Sequence, residues 1–452
     1  MALSSLPEYL ILSNPNLFQM KFLLTFCFLL TITSGTAQLS GKEKKLVKII
    51  NQNNEEATQI LKRVVNMNSG SMNLQGVRAV GDVFIKEFEK LGFDTKWVDG
   101  ASFNRAGHLV ARLEGGGKGP SLLLIGHLDT VFEPDNPYQE YSMANDSIMM
   151  GPGVVDMKGG DVIILYAMKA LKEAGLLKDM NIEIVYTGDE EKSGRPLKLA
   201  RKDLVEAAKR ADIAIGFENG DSNPATAVVS RRGSSGWRLE VSGNPAHSSQ
   251  VFSDKVGAGS IYETSRILHQ FYEELTSEEY LTFNPGVILG GTAVEHDSGI
   301  SGGTATGKSN VVAQTTIVTG DIRAVSIDQL NRARKKMQEI VSQSLPGTHA
   351  EITFGDGYPP LSPSEGNNDL LKIYSKTSED LGYGSVSAVA PINAGAADVS
   401  FTSEYVSMAI DGLGLSGGND HTINEFGNLN MLGPLTQRAA VFIYRLQQID
   451  VK

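Results

Sequence analysis

Thiols are nearly missing from this chain of 452 residues, whose one cysteine is Cys27. That excludes a disulfide framework, and any bound metal must be held by His and carboxylate rather than by thiolate. Basic residues are outnumbered too: 41 Lys and Arg stand against 52 Asp and Glu, a formal net charge of -11. There is no long Lys/Arg run, so the chain lacks the basic face that nucleic acid or an anionic membrane demands, and small molecules or peptides are the expected ligands. Apolar runs are short as well. The stretch Phe22 to Ile32, which contains Cys27, falls well below the roughly 20 residues needed to span a membrane. Internal repeats and long low-complexity tracts are also lacking.

What is present points to a soluble globular protein: 41% of residues are hydrophobic and 21% charged. The length exceeds one ordinary core, so two domains are expected. Lys21, the apolar run and the small residues Ser34-Gly35-Thr36-Ala37 form a secretory signal pattern over residues 1–37, with cleavage expected after Ala37. This predicts a periplasmic or extracellular protein with no stable membrane anchor once the signal is cut. Met20 sits just ahead of Lys21, so residues 1–19 read as an upstream start-site extension.

Apolar residues recur at helical spacing from Lys44 to Val65 and again from Val77 to Leu91, where Gly92 stops the pattern. The runs Leu109–Leu113, Ser121–Ile125 and Ile182–Tyr186 read as strands, with a helical stretch at Asp161–Leu176 between the last two. Strands alternating with helices predict an α/β fold: a mixed central sheet flanked by helices. From about Gly233 a second unit begins, with a strand at Gly236–Val241, a helix to Leu275, strands around Val287 and Thr315 and a helix from Ile327 to Leu345. It is expected as a smaller α/β sandwich over residues 233–355, inserted between catalytic segments 38–232 and 356–452. The Gly/Ser/Thr-rich stretch Asp297–Ser309 reads as a flexible loop.

Chemistry concentrates in a few segments. In Gly126-His127-Leu128-Asp129-Thr130, after a buried-looking strand, His127 and Asp129 alternate onto one side, so one can bind a cation while the other accepts the second ring N–H. Asp156 lies between the glycines of Gly151-Pro-Gly-Val-Val-Asp156-Met-Lys-Gly-Gly160. The Gly-Lys-Ser/Thr ending of a phosphate loop is missing there, and a carboxylate stands where the anion would sit. Thr187-Gly-Asp-Glu190-Glu191 puts three acids in a row at a strand's carboxyl end, costly unless a cation neutralises them. Glu218, after the strand-like Ile213–Phe217, and His421, in Gly417-Gly-Asn-Asp-His421, are further candidates. Singly, each also fits an ordinary solvated turn.

Together these segments resemble the co-catalytic zinc hydrolases that include glutamate carboxypeptidase, aminoacylase-1 and succinyl-diaminopimelate desuccinylase, from about Lys44 to the C-terminus. The resemblance implies a zinc-peptidase catalytic domain with two Zn2+ per subunit, Co2+ or Mn2+ being able to substitute. His127 and Glu218 would bind one zinc, Glu191 and His421 the other, and Asp156 would bridge them, followed by a cis peptide bond to Met157. Asp129 would orient His127, and Glu190 would be the general base. The insert would be a lid and dimerisation domain. Its His247, in Asn244-Pro-Ala-His247-Ser-Ser, would stabilise the oxyanion, commonly in the partner's site, while Asn310 and Arg323 would hold the substrate carboxylate. A Glu at position 218 goes with carboxypeptidase or N-acyl amino acid deacylase activity. Small peptides or N-acyl amino acids are then the expected substrates and a homodimer the expected assembly; a noncatalytic amino acid or peptide-binding relative is the competing reading. Ala313 replaces the proline usual after the insert's Asn, and Glu218 is followed by no Lys, so substrate choice does not transfer. His108, His269, His296 and His349 read as structural or solvated.

Overall fold

A computed structural model describes residues 39–449. The expected signal segment lies outside them. The first helix, α1 (Gly41–Val65), opens on a capping box in which Glu43 N bonds Ser40 Oγ at 3.3 Å and Ser40 N bonds Glu43 Oε2 at 2.6 Å; two otherwise orphaned backbone donors are satisfied this way. Helix α2 (Leu74–Leu91) stops at Gly92, whose φ of 91° is left-handed and suits glycine.

The central sheet contains β1 (Asp94–Asp99), β2 (Gly107–Glu114), β3 (Leu122–His127), β4 (Asn181–Thr187), β5 (Ile213–Gly216) and β10 (Met408–Ile410), in the order β1-β2-β4-β3-β5-β10. Strands β4, β3, β5 and β10 run parallel, while β2 is antiparallel to both of its neighbours. Strand β3 is buried along its whole length because both sheet faces are covered. Leu122 and Leu124 join the large core beneath α1, α2, α3 (Gly159–Ala174), α6 (Glu365–Asp380) and α7 (Leu432–Leu446). Leu123 and Ile125 point the other way, onto Leu204, Ala207 and Ala208 of a short helix. Each fully buried Leu or Ile stabilises by about 1.5–3 kcal/mol, and that two-sided burial fixes where β3 ends.

Between β5 and α6 the chain builds a second sheet from β6 (Ser235–Gly243), β7 (Thr282–Gly291), β8 (Thr315–Arg323) and β9 (Thr348–Phe354), in the antiparallel order β7-β8-β6-β9. Helices α4 (Ser260–Leu275) and α5 (Ile327–Val341) cover one face and enclose a separate core of Trp237, Leu239, Val241, Ile267, Phe271, Val318, Ile322, Met337 and Ile340. The stretch read as a flexible loop at Asp297–Ser309 contains one strand of a hairpin: Gly302–Thr306 pairs antiparallel with Ala293–Asp297. Cross-strand bonds outweigh the poor strand propensity of Gly302 and Gly303. Among the described residues, no helix is long and apolar enough to cross a membrane.

Candidate metal centre

The carboxyl ends of the parallel strands converge on one spot, where open α/β sheets place ligands. His127 is the last residue of β3, Glu190 and Glu191 follow β4 within four residues, and Glu218 follows β5 within two. Asp156 arrives from the turn that leads into α3. A Cβ on Gly160 would lie 2.0 Å from the Phe217 carbonyl oxygen, so only glycine lets the start of α3 press against the chain leaving β5. That contact brings Asp156 beside Glu218.

His127 Nε2 lies 3.2 Å from Asp156 Oδ1 and 3.2 Å from Glu218 Oε1. On the other side, His421 Nε2 lies 3.1 Å from Asp156 Oδ2 and 3.1 Å from Glu191 Oε2. The two oxygens of Asp156 thus serve two separate groups, His127–Asp156–Glu218 and Asp156–Glu191–His421, each with ligand atoms within 4.8 Å of one another. The Asp156–Met157 peptide bond is cis.

The cluster draws positive charge. Burial opposes a charged imidazole at His127, but the surrounding carboxylates, Glu218 foremost, hold its pKa well above the usual value. Bonds from Asp156 and Glu191 push His421 up to about 11. Burial, then the nearby Asp156 charge, pushes Glu191 up to about 8, and the same two causes raise Glu218. Glu190 is raised well above its ordinary value by burial and then by Asp398. Asp156 goes the other way, since bonds from His127 and His421 outweigh its burial. Glu191 also keeps one buried oxygen, Oε1, without a hydrogen-bond partner. Carboxylate oxygens and imidazole nitrogens converging in this way fit hard or borderline divalent cations such as zinc.

The supporting contacts refine the sequence expectation for Asp129. His127 Nδ1 lies 3.0 Å from the Asp129 main-chain oxygen but 3.5 Å from its carboxylate. The carboxylate instead accepts from Ser71 Oγ at 2.6 Å, Glu190 N at 2.9 Å and Glu191 N at 3.1 Å. It therefore fixes the segment carrying both glutamates as well as facing the imidazole. Glu425 was not singled out from the sequence. Buried and four residues past His421, it accepts from the N–H groups of Gly153, Val155 and Asp156 at 3.0, 2.9 and 3.2 Å. An isolated Glu in a polar loop carries no signal of such a role. His108, by contrast, is wholly buried and packs as a structural group, with Nε2 2.7 Å from Ala200 O.

The insert's candidates do not gather at this cluster. His247 is exposed, with Nδ1 2.9 Å from Ser249 Oγ, and Ser248 N beside it bonds Asn310 O at 2.9 Å. Both lie at the Gly243 end of β6, while the segments that carry the ligand cluster join at its Ser235 end, roughly 25–30 Å away at ordinary strand rise. Arg323 ends β8 at the near side, its Nε 3.0 Å from Asp321 Oδ2. Asn310 and Arg323 are thus separated by the length of β8 and do not meet in one chain.

Residues 123–445 match the family described as Peptidase family M20/M25/M40. Carboxypeptidase G2 of Pseudomonas sp. (strain RS-16) is 23% identical over 395 residues, 86% of this chain and 88% of that protein. Aminoacylase-1 of Mus musculus is 25% identical over 264 residues, 57% of this chain and 63% of that protein. Acetylornithine deacetylase of Salmonella arizonae is 28% identical over 306 residues, 64% of this chain and 72% of that protein. Among solved structures, a tripeptidase from Staphylococcus aureus superposes with a TM-score of 0.65 at 20% identity, covering 88% of this chain and 99% of that one. A family M20 metallo-carboxypeptidase from Sulfolobus solfataricus gives 0.60 at 18% identity, covering 87% and 100%. Both likenesses concern the fold.

Proposed function

Because the chain is a metallohydrolase belonging to peptidase family M20/M25/M40, we propose that it cuts an amide bond next to a free carboxylate, as a carboxypeptidase. The observation that carries this reading is the sharing of Asp156 between the two ligand groups. Two Zn2+ ions held there by His127, Asp156, Glu218, Glu191 and His421 would polarise the scissile carbonyl and bring the pKa of water from 15.7 towards about 7. Glu190, held beside the cluster through its own N–H by Asp129, takes the proton from the attacking water and passes it to the leaving nitrogen. Arg323 offers a planar fork to the substrate carboxylate. Its position at the near end of β8 suits that task. His247 and Asn310, at the far end of the insert, are supplied by a second copy of the chain, so the working unit is a homodimer. His247 then stabilises the oxyanion. The signal pattern at residues 1–37 supports export.

Deacylation of N-acyl amino acids is the second reading, favoured by the likeness to an aminoacylase and an acetylornithine deacetylase; it leaves the same carboxylate-bearing product. The test is mass-spectrometric detection of amino acids released by the zinc-loaded chain from residue 38 onward. The panel holds C-terminal dipeptides and N-acyl amino acids, with a chelated control. Metal-dependent release from peptides supports the carboxypeptidase reading, and release from acyl amino acids alone supports the deacylase. A requirement for a free N-terminal amine contradicts both.

A further inference from the structure

The two segments joining the insert to the catalytic part run side by side. Arg231 and Leu361 exchange N–H···O bonds of 3.1 and 3.0 Å, Ser234 N bonds Tyr358 O at 2.9 Å, and Gly355 N bonds Gly236 O at 2.9 Å. Each segment sends one side chain towards a loop that bears a glutamate of the site, one through Asp411 and one directly. On the way in, Arg231 Nε bonds Asp411 Oδ2 at 2.8 Å, and Asp411 Oδ1 accepts from Glu218 N at 3.3 Å. On the way out, the Tyr358 hydroxyl reaches the carbonyl of Glu190 at 3.1 Å.

One proton assignment makes a hydrogen bond of every contact at that hydroxyl. Arg201 Nη2 bonds the Tyr358 oxygen and can only donate. Ser193 Oγ lies 2.9 Å from the same oxygen. The single phenolic proton is therefore left for the Glu190 carbonyl, which has none to give. Arg201 is in turn fixed by Asp189 Oδ1 at 2.5 Å and Asp398 Oδ1 at 2.7 Å, and Asp189 Oδ2 accepts from Gly194 N at 2.7 Å. The Tyr358 ring packs edge-on against Phe401, with centroids 4.9 Å apart. The backbone of Glu190 is thus held at both polar groups, its N–H by Asp129 and its C=O by Tyr358.

We propose that Tyr358 is a positioning residue for Glu190, fixing the base through its main-chain carbonyl and tying its place to the segment from which the insert hangs. This rests on the reading of Glu190 as the general base. Displacing a catalytic group by a fraction of an ångström lowers turnover while leaving ground-state binding nearly untouched.

The test is Tyr358→Phe in the full zinc-loaded chain, assayed on whichever panel substrate is cleaved, alone and combined with Glu190→Gln. The Phe ring keeps its contact with Phe401. The expected result is a kcat lower by roughly 10- to 100-fold, an unchanged KM and full zinc content. In the Glu190→Gln background the same change should cost nothing further, because its effect runs through the missing base. An unchanged kcat, or an equal loss in both backgrounds, overturns the proposal. Ser193→Ala leaves the phenolic proton no acceptor but the Glu190 carbonyl, with Arg201 still donating to the phenol oxygen, so kcat should stay unchanged. If the Phe variant does not fold, a kcat in Ser193→Ala lowered by roughly tenfold or more overturns the proposal instead, because the bond to Glu190 is still in place there. Glu190→Gln with full turnover sinks the base reading itself, whatever Tyr358 does, so the two failures are distinct.

Discussion

Glu425→Gln preserves the size and shape of the side chain that grips the Asp156 turn, yet exchanges one carboxylate oxygen for an NH2 group. The remaining carbonyl oxygen can still serve Val155 N and Asp156 N, which share Oε1 at 2.9 and 3.2 Å. The NH2 then faces the N–H of Gly153, which donates to Oε2 at 3.0 Å. Donor meets donor at a residue that is 0% exposed, so no water relieves the clash. One buried donor left without a partner costs about 1–3 kcal/mol. The two surviving bonds lose their charge assistance, together about 1–2 kcal/mol. Against this, burial has pushed the Glu425 pKa up to about 7, and the amide escapes that desolvation. The net destabilisation should be about 2–4 kcal/mol, read from urea unfolding of metal-stripped protein. Zinc affinity should fall roughly 10- to 100-fold, as for other groups that support metal ligands. A stability change below about 0.5 kcal/mol together with unaltered zinc affinity would refute the claim that Glu425 sets the Asp156 turn.

Glu190→Gln should lower turnover by about 10²- to 10⁴-fold with zinc content intact; loss of metal along with activity would place Glu190 among the ligands. Asp129→Asn sets an NH2 either against Glu190 N, which donates to Oδ1, or against Ser71 Oγ and Glu191 N, which donate to Oδ2, and isothermal titration should show zinc bound roughly 10- to 100-fold more weakly, with equal affinity the contrary result. At the junction of α1 and α7, burial raises the Glu43 pKa, but bonds to Arg445, at 2.6 Å, and to Ser40 outweigh it and hold the carboxyl below its ordinary value. A depressed carboxylate pKa adds stability above the unfolded pKa and loses it as pH falls through the folded one. Glu43→Gln should therefore cost about 1–3 kcal/mol at neutral pH, and the gap from the parent chain should narrow in acid unfolding series below about pH 4. A gap indifferent to pH contradicts this.

The fully buried strand β3 was legible because Leu122–Ile125 is an unbroken apolar run, and the end of α2 because Gly92 accepts a left-handed φ of 91°. Strand β1 escaped notice: Asp94-Thr-Lys-Trp-Val-Asp99 is an edge strand with half-exposed residues and no clean alternation. Strand β9 did carry a signal, since Ala350, Ile352 and Phe354 line the insert's core while His349, Glu351 and Thr353 turn outward; the period of two in Thr348–Phe354 was there to be read. The hairpin at Ala293–Thr306 was hidden by its Gly and Ser content, because pairing rather than propensity orders it. In the centre, the metal-binding candidates stood out because each sits in a short motif at a strand or turn end. Residues that act on backbone groups, such as Glu425, Arg201 and Tyr358, did not. Their backbone partners are 269, 12 and 168 residues away in the chain, at Asp156 N, Asp189 O and Glu190 O, and no local pattern announces such contacts.

That Asp156 is shared by two metal ions is tested most directly by native mass spectrometry of the chain from residue 38 onward, titrated with zinc. Two ions should bind each parent chain, and one should remain in His421→Ala and one in Glu218→Gln, each substitution emptying only its own side of Asp156. A parent chain that takes a single ion at saturating zinc, or a stoichiometry indifferent to both substitutions, would contradict the shared centre.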